Sequence, residues 1–240
     1  MLYRFRRFLL VPLLLSIFPA LIGCGMLRGP GGSGSLPSPV RARRVSPEIL
    51  AFFPQEQGTR WRYTGFAEYA HDMELRSISR GRRTVVHHIR GQVEDVSGGE
   101  STKNSRFRLD LVFTAKEVTE RILEADTPFP HRLDGLILLR LPLKPKTTWR
   151  QRVRAKGRSV TATAEILGLE MDGKGSRPQA VTVRYRAPMA GMPGGVYEEI
   201  RVFRRGTGVA TFQNTFGANE GEIFNYTLYS LQKGRGGADR

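Results

Sequence analysis

The chain has 240 residues and a formal net charge of +16, with 38 basic residues against 22 acidic ones, and 31 of the basic residues are arginine. A single cysteine excludes a disulfide framework and a cysteine-rich zinc site. The positive charge favours an anionic neighbour, although a genome rich in arginine codons would give the same excess without any function.

The amino-terminal residues 1–23 have the pattern of an export signal. Three arginines lie within positions 4–7, and Phe8–Leu21 is an apolar run of about 14 residues. This run is shorter than the roughly 20 residues that a membrane-spanning helix needs, and Pro12 and Pro19 interrupt it. We therefore expect the segment to direct export and then to be removed.

Cys24 is the only cysteine and ends the string Leu21-Ile22-Gly23-Cys24. This string resembles the lipobox of bacterial prolipoproteins, which implies cleavage before Cys24, attachment of lipid to its sulfur and acylation of the new amino terminus. Gly25 stands where an aspartate would hold a lipoprotein in the inner membrane, so the expected site is the periplasmic face of an outer membrane. An ordinary signal peptide and an uncleaved membrane helix are the alternatives.

The rest of the chain divides by composition. Residues 24–45 comprise Cys24 and a Gly-Pro-Ser-rich stretch typical of a flexible linker, and residues 234–240 form a polar tail that we expect to be disordered. Between them, residues 46–233 are long enough for one domain with a core of its own. Ser46-Pro47 begins a short helix, with serine as the cap and proline in the first turn.

Period-two alternation dominates this domain and predicts strands of an antiparallel sheet. Apolar residues alternate with polar ones along 106–113, 160–166 and 181–186. The run 116–125 fits either a helix or a strand, and the strands predicted on its flanks favour a strand. Gly98-Gly99 and Asp172-Gly173 are predicted hairpin turns. The expected fold is all-β and mainly antiparallel, a curved sheet or open barrel with few short helices.

A short internal repeat includes both tryptophans. Pro54 precedes Trp61 by seven positions, and Pro142 precedes Trp149 by seven, an offset of 88 residues. The repeat predicts two similar halves, about 52–140 and 141–231, and its residues have the character of packing positions rather than of chemistry.

Three segments resemble an uncharacterised group of bacterial exported lipoproteins. They are Phe53–Tyr63 (Phe-Pro-x-x-x-Gly-Thr-x-Trp-x-Tyr), Leu141–Lys144 followed by Trp149, and Arg205–Val209 (Arg-Gly-Thr-Gly-Val). The second copy departs from the group's pattern at Lys146, where glycine is usual, which puts the turn geometry there in doubt. The resemblance implies an antiparallel β-rich body and no established activity.

Catalytic and metal-binding patterns are missing from the sequence. The four histidines, at 71, 87, 88 and 131, do not pair at a ligand spacing, and no nucleophile motif is present. We expect no cofactor, no metal and no enzymatic activity.

The outward positions of the predicted strands supply one candidate binding surface. Its members are Arg150, Arg152, Arg154, Arg184 and Arg186. Guanidinium groups on one sheet face suit phosphates or carboxylates. A non-catalytic envelope role, with binding of anionic lipid or cell-wall polymer, is thus the predicted function, and the protein partner is unknown. Nucleic acid is not expected outside the cytoplasm. A lipid or lipoprotein carrier with an apolar cavity is the alternative, and an envelope hydrolase is a more remote one.

Overall fold

The computed structural model describes residues 44–65, 69–95, 105–125, 133–155, 157–188, 195–215 and 223–234. Cys24, the predicted export signal, most of the predicted linker, the turn predicted at Gly98-Gly99 and nearly all of the predicted tail lie outside these residues. Among the described residues, no helix is long and apolar enough to cross a membrane.

One short helix, α1 (Pro47–Leu50), precedes the first strand. The Ser46 hydroxyl accepts a hydrogen bond from the Ile49 amide at 3.4 Å, and proline occupies the first turn, as the sequence predicts. Ile49 and the following Phe52 are fully buried. The helix and the segment after it therefore contribute to the core.

Twelve strands make up the rest of the described chain. They are β1 (Arg60–Gly65), β2 (Tyr69–Arg80), β3 (Val85–Asp95), β4 (Ser105–Phe113), β5 (Glu117–Ala125), β6 (Leu136–Arg140), β7 (Thr148–Ala155), β8 (Arg158–Met171), β9 (Pro178–Pro188), β10 (Val196–Arg204), β11 (Gly208–Thr215) and β12 (Ile223–Gln232).

The strands form a single sheet in the order β6-β5-β4-β3-β2-β1-β12-β11-β10-β9-β8-β7, and every pairing is antiparallel. The sheet curls into a nearly closed barrel whose two end strands, β6 and β7, face each other across one unsealed seam. The predicted all-β, mainly antiparallel open barrel is confirmed.

Alternation of side chains explains why these segments are strands. In β4, Phe107, Leu109, Leu111 and Phe113 are all buried, whereas Arg106 and Arg108, which alternate with the first of them, are exposed. Because successive side chains of a strand face opposite sides, one face fills the barrel interior and the other meets solvent. The run 116–125 is indeed a strand.

The two stretches of the repeat form the same turn. Gly58 donates its amide to the Leu75 carbonyl at 2.7 Å, and Lys146, 88 residues later, donates to the Ile166 carbonyl at 2.8 Å. The amide of Thr59 bonds to the Glu56 carbonyl, just as that of Thr147 bonds to the Lys144 carbonyl.

Lys146 keeps this turn geometry although it replaces the glycine usual in the resembling group. Its φ is +65°, and that of Gly58 is +83°, so the backbone of both residues lies in the left-handed region. A lysine in this region carries a backbone strain that glycine avoids. The two prolines differ more, since Pro54 is buried whereas Pro142 is exposed.

One isolated backbone bridge and side-chain contacts, rather than a continuous backbone ladder, hold the seam between β6 and β7. Asp134 and Arg154 exchange two backbone hydrogen bonds of 2.9 Å just before β6. Further along, Oε1 of the buried Gln151 side chain accepts a hydrogen bond of 2.5 Å from the Ile137 amide. Nε2 of the same side chain lies 3.5 Å from the Ile137 carbonyl oxygen. Gln151 thus takes the place of a neighbouring strand's peptide group.

Replacing Gln151 by alanine should destabilise the protein by about 1–3 kcal/mol, because the Ile137 amide loses its partner in a partly buried site. Urea unfolding of the full-length chain measures this loss. The matched control is Gln179→Ala on the exposed face of β9, which should change the free energy of unfolding by less than about 0.5 kcal/mol. Equal effects of the two substitutions would contradict the role assigned to Gln151.

Candidate functional site

A buried cluster of charges connects opposite sides of the barrel. Arg201 on β10 bonds Glu120 on β5 through two nitrogens, at 3.1 and 3.3 Å, and also bonds Glu199. Tyr197 donates its hydroxyl to Glu199. All four residues are at least 97% buried, so these bonds form out of contact with solvent.

In this ion cluster, the pKa values of Arg201 and Tyr197 depart from their ordinary values. Burial alone would lower the pKa of Arg201, but attraction to Glu120 and Glu199 raises it well above its ordinary value. Burial, reinforced by the Glu199 charge, raises the pKa of Tyr197 far above its usual range. The guanidinium therefore stays charged and the phenol stays protonated, which keeps the cluster a fixed electrostatic feature of the interior.

A cavity of about 100 Å³ lies beside the ion cluster, inside the barrel. Aromatic and imidazole rings dominate its walls: Phe53, Trp61, Tyr63, His71, Phe107, Tyr197, Phe212 and Tyr226. Its polar part comes from Glu120, Arg201 and Asn214. Lipid-sized ligands occupy pockets of roughly 300–1,000 Å³, so the interior as it stands is well filled.

Asn214 on β11 has an unusual position in this cavity wall. Its side chain is 95% buried. Its oxygen Oδ1 has no hydrogen-bond partner among the described residues. An amide oxygen that is buried in this way normally finds a donor, so this atom requires an explanation.

A larger groove, of about 770 Å³, lies on the outward faces of the first strands. We call it the arginine groove, because six of the described residues that line it are Arg60, Arg62, Arg76, Arg90, Arg106 and Arg108. The acidic residues that line it are Asp72, Glu74 and Glu124. Its volume falls within the range typical of ligand sites.

Strand register organises the groove into rows across the sheet. One row runs through Arg60, Glu74, Arg90, Arg108 and Glu124, each directly opposite the next. Carboxylates partly neutralise the arginines towards the two ends of this row. A carboxylate oxygen of Glu74 lies 3.4 Å from a guanidinium nitrogen of Arg60, and one of Glu124 lies 3.4 Å from a guanidinium nitrogen of Arg108.

At the centre of the row, Arg90 and Arg108 are directly opposite on adjacent strands. Like charges in this arrangement destabilise a sheet. Among the described residues, Arg90 and Arg106 have no carboxylate within ion-pair distance. Among the described residues that line it, the groove gathers six arginines and three carboxylates, and this excess of positive charge favours binding of an anion.

The arginines proposed from the sequence lie elsewhere, on the outward face of β7 to β9. Arg150, Arg152 and Arg154 are exposed on β7, as their alternation predicts. Arg184 bonds Glu165 at 2.7 Å, and Arg186 bonds Glu198, so these two are already paired.

Strand β8 separates the two groups of arginines, and its Thr163 stands between Arg150 and Arg186. The five residues therefore share one face without converging on a pocket. The arginine groove is the site that sequence reasoning missed, although the outward positions of Arg106 and Arg108 are readable from alternation. Alternation does not show which strands pair with the strand that carries these two arginines.

One hydrogen-bond network has the serine–histidine–aspartate order found in the catalytic triad of many hydrolases. Ser79 Oγ lies 2.9 Å from His88 Nε2, and His88 Nδ1 lies 2.8 Å from Asp110 Oδ1. A catalytic serine must also face a pocket that holds the reacting carbonyl. Ser79 is not among the described residues that line the adjacent pocket, so we assign the network to cross-strand pairing.

His87, the chain neighbour of His88, contributes no charge near pH 7. Burial, together with the nearby Arg80, lowers the pKa of His87 to about 4, so its ring is neutral near pH 7. Within the described segments, no group of three or more acidic, histidine or cysteine side chains could hold a metal ion. Two of the spaces lined by described residues bear most directly on a ligand, the arginine groove and the interior cavity.

The ion cluster makes a quantitative prediction. Arg201→Met should destabilise the protein by about 3–5 kcal/mol, because Glu120 and Glu199 remain buried without their cation. Combining it with Glu120→Leu and Glu199→Gln should restore most of that loss, since no unpaired charge is left inside. Urea unfolding measures both variants.

The control is Arg204→Met on the same strand. Arg204 and its partner Glu170 are both more than half exposed, so this change should cost less than about 1 kcal/mol. A mild effect of Arg201→Met, comparable with that of Arg204→Met, would show that the cluster contributes little.

Comparison with known proteins identifies relatives of the fold alone. No protein-family model matches the chain, and no curated protein sequence matches it significantly. Two solved structures are similar to it. One is a candidate lipoprotein from Parabacteroides distasonis, with 9% identity and a TM-score of 0.50 over 75% of this chain and 98% of that one. The other is a candidate exported protein with a YmcC-like fold from Bacteroides fragilis, with 10% identity and a TM-score of 0.51 over 76% of this chain and 99% of that one. The chain therefore shares the fold of these two proteins.

Proposed function

We propose that the protein is an exported, lipid-anchored bacterial envelope protein with a non-catalytic binding role, and that its arginine groove holds anionic groups of an envelope lipid or polymer. The observation that carries the proposal is the row that places Arg90 opposite Arg108 in a groove of about 770 Å³. The bound anion would relieve the repulsion that the sheet otherwise retains.

The anchor is proposed from the sequence. Cys24 follows an arginine-headed apolar run in a string like a lipobox. The descriptions of the two structural neighbours, one a candidate lipoprotein and the other a candidate exported protein, agree with this assignment. Gly25 favours the outer membrane, with the body on its periplasmic face. A linker of about 20 residues would hold the groove within reach of that membrane.

Lipid carriage receives less support than surface binding. A carrier must enclose acyl chains, whereas the interior cavity measures about 100 Å³ and is surrounded by packed rings. An engineered cavity of about 150 Å³ already fits no more than a benzene-sized molecule. The outward groove is the larger space and carries the charge.

Changing Arg90, Arg106 and Arg108 together to glutamine should weaken binding to anionic lipid vesicles about 100-fold, because each arginine near such a surface contributes about 1 kcal/mol. The matched control is the triple change of Arg150, Arg152 and Arg154 to glutamine, which removes the same charge from another face. Vesicle co-sedimentation at low and moderate salt measures both, and soluble polyphosphate in place of vesicles separates a polymer ligand from a lipid surface.

If the two triple variants lose affinity equally, net charge rather than the groove governs binding. If only the β7 variant loses affinity, the face proposed from the sequence is the binding surface. All vesicle measurements use the Cys24→Ser background, which lacks the acyl chains, so neutral vesicles should bind neither triple variant nor the protein with its arginines intact.

Cys24→Ser should move the protein from the membrane fraction to the soluble envelope fraction, because stable attachment requires the acyl chains. Fractionation of cells, with intact-mass measurement of the purified protein, follows the change. Ser33→Ala in the linker is the control and should stay in the membrane fraction. Unchanged membrane retention of Cys24→Ser would overturn the anchor.

A further inference from the structure

We propose that the centre of the arginine groove is a subsite for a phosphate monoester, formed by Arg90, Arg106 and Arg108. A phosphate monoester is attached through a single ester bond, so it keeps three terminal oxygens. The inference rests on the proposed function, because it names the chemical class of anion that the same groove would select over phosphate diesters and carboxylates.

Strand register brings the three arginines together. Arg90 on β3 stands opposite Arg108 on β4, and Arg106 stands opposite Gln92, two residues further along the same pair of strands. Directly opposite residues of a sheet lie about 5 Å apart, and alternate residues of one strand lie about 7 Å apart. The four side chains line the groove at the corners of a small square, so three guanidinium groups can reach one ligand between them.

The carboxylates next to this square already have other partners. Glu74 stands opposite Arg90 in the sheet. Its two carboxylate oxygens lie 2.8 Å from a guanidinium nitrogen of Arg76 and 3.4 Å from one of Arg60. Two further contacts follow the same pattern: Asp72 with Arg62 at 3.5 Å, and Asp110 with His88 at 2.8 Å.

The third arginine has a partner that a ligand can displace. A guanidinium nitrogen of Arg108 lies 3.4 Å from a carboxylate oxygen of Glu124, and both side chains are more than half exposed. Exposed ion pairs are weak, because water and salt screen the two charges. Turning Arg108 from Glu124 towards a bound phosphate therefore costs little.

The number of charges favours a monoester. Near pH 8 a phosphate monoester is a dianion, because its second pKa is about 6, whereas a carboxylate and a phosphate diester are monoanions. Arg90 and Arg106 have no carboxylate within ion-pair distance in the part of the chain that the structure describes, so one dianion balances both. Three terminal oxygens can also accept hydrogen bonds from three guanidinium groups at once, whereas a diester or carboxylate offers two.

The test compares three small probes: methyl phosphate, dimethyl phosphate and acetate. The full-length chain with Cys24→Ser is titrated at about pH 8 and constant ionic strength, so that screening is the same for each probe. In NMR spectra, methyl phosphate should shift the backbone amide signals of Arg90, Arg106 and Arg108 saturably, with a dissociation constant of about 1 mM. Dimethyl phosphate and acetate should bind about tenfold more weakly. Equal affinity for methyl and dimethyl phosphate, or the absence of a saturable shift, would overturn the proposal.

Strand β7 provides an internal control, because Arg150, Arg152 and Arg154 lie in a line along it rather than in a square. A general preference of arginine for dianions would shift their amide signals as much as those of the groove. We expect no saturable shift on β7 at concentrations that saturate the groove. Similar affinity at the two places would show that the square has no special role.

Substitutions on either side of the subsite should act in opposite directions. Arg90→Gln should weaken methyl phosphate binding about tenfold, whereas Arg150→Gln should leave it unchanged. Glu124→Gln should strengthen binding about threefold, because Arg108 then has no competing carboxylate. The matched control is Glu165→Gln, which removes a paired carboxylate from another face and should have no effect. Equal gains from the two glutamate substitutions would mean that net charge governs binding, against the proposal.

Vesicles distinguish a lipid from a soluble source of the monoester. Phosphatidic acid has a monoester headgroup and phosphatidylglycerol a diester, so vesicles of phosphatidic acid should retain the protein more strongly at equal surface charge. Equal retention, with methyl phosphate still preferred in solution, would assign the subsite to a soluble or polymer-borne monoester.

The two proposals fail in different ways. Equal loss of vesicle binding by the two triple glutamine variants would contradict the proposed function. Equal binding of methyl and dimethyl phosphate in the groove would contradict the present inference alone.

Discussion

Closure of a sheet without a complete hydrogen-bond ladder is the constraint on which the rest of the structure depends. Strands β6 and β7 end the sheet and meet at a seam, so other contacts must hold the two sides together. Arg201 and Glu120 tie β10 to β5 across the interior, while the side chain of Gln151 satisfies the backbone of Ile137. Tyr185 adds a hydrogen bond of 2.5 Å to the Leu138 carbonyl on β6. Buried polar groups of this kind contribute less to net stability than to fixing one arrangement, because each is costly only when its partner is absent.

The same closure creates two chemically different surfaces. Residues that alternate inward fill the barrel with rings and leave a small cavity beside the ion cluster. Residues that alternate outward on β1 to β4 place arginines in rows, and the described residues that line the groove include six arginines and three carboxylates. Trp61 and Phe107 border both spaces, and the Phe107 ring occupies the position that a side chain at Gly91 would take. Glycine at 91 is therefore required for the wall between groove and cavity to close.

Much of the fold could be predicted from the sequence because it rests on local patterns. Alternation identified the strands that contain Phe107 and Val181, and the cap at Ser46 marked the helix. The repeat around Trp61 and Trp149 corresponds to two turns with matching hydrogen bonds. The left-handed backbone conformation of Lys146 could not be predicted, because only glycine and asparagine adopt it often enough to indicate it in a sequence. The arginine groove was missed for a different reason. Arg60, Arg90 and Arg106 are distant in the chain, and only strand register makes them neighbours.

The sequence by itself determined which side chains face inward and which face outward, because that depends on a period of two along each strand. It also determined the position of Cys24 and the charge and hydropathy pattern from which the export signal is proposed, because both are read from short contiguous strings. Tertiary structure alone decided that Arg201 meets Glu120, that Arg90 stands opposite Arg108, and that Asn214 Oδ1 is buried with no hydrogen-bond partner among the described residues. These relations join residues from separate strands, and they depend on the order in which the strands pair and on where the sheet closes.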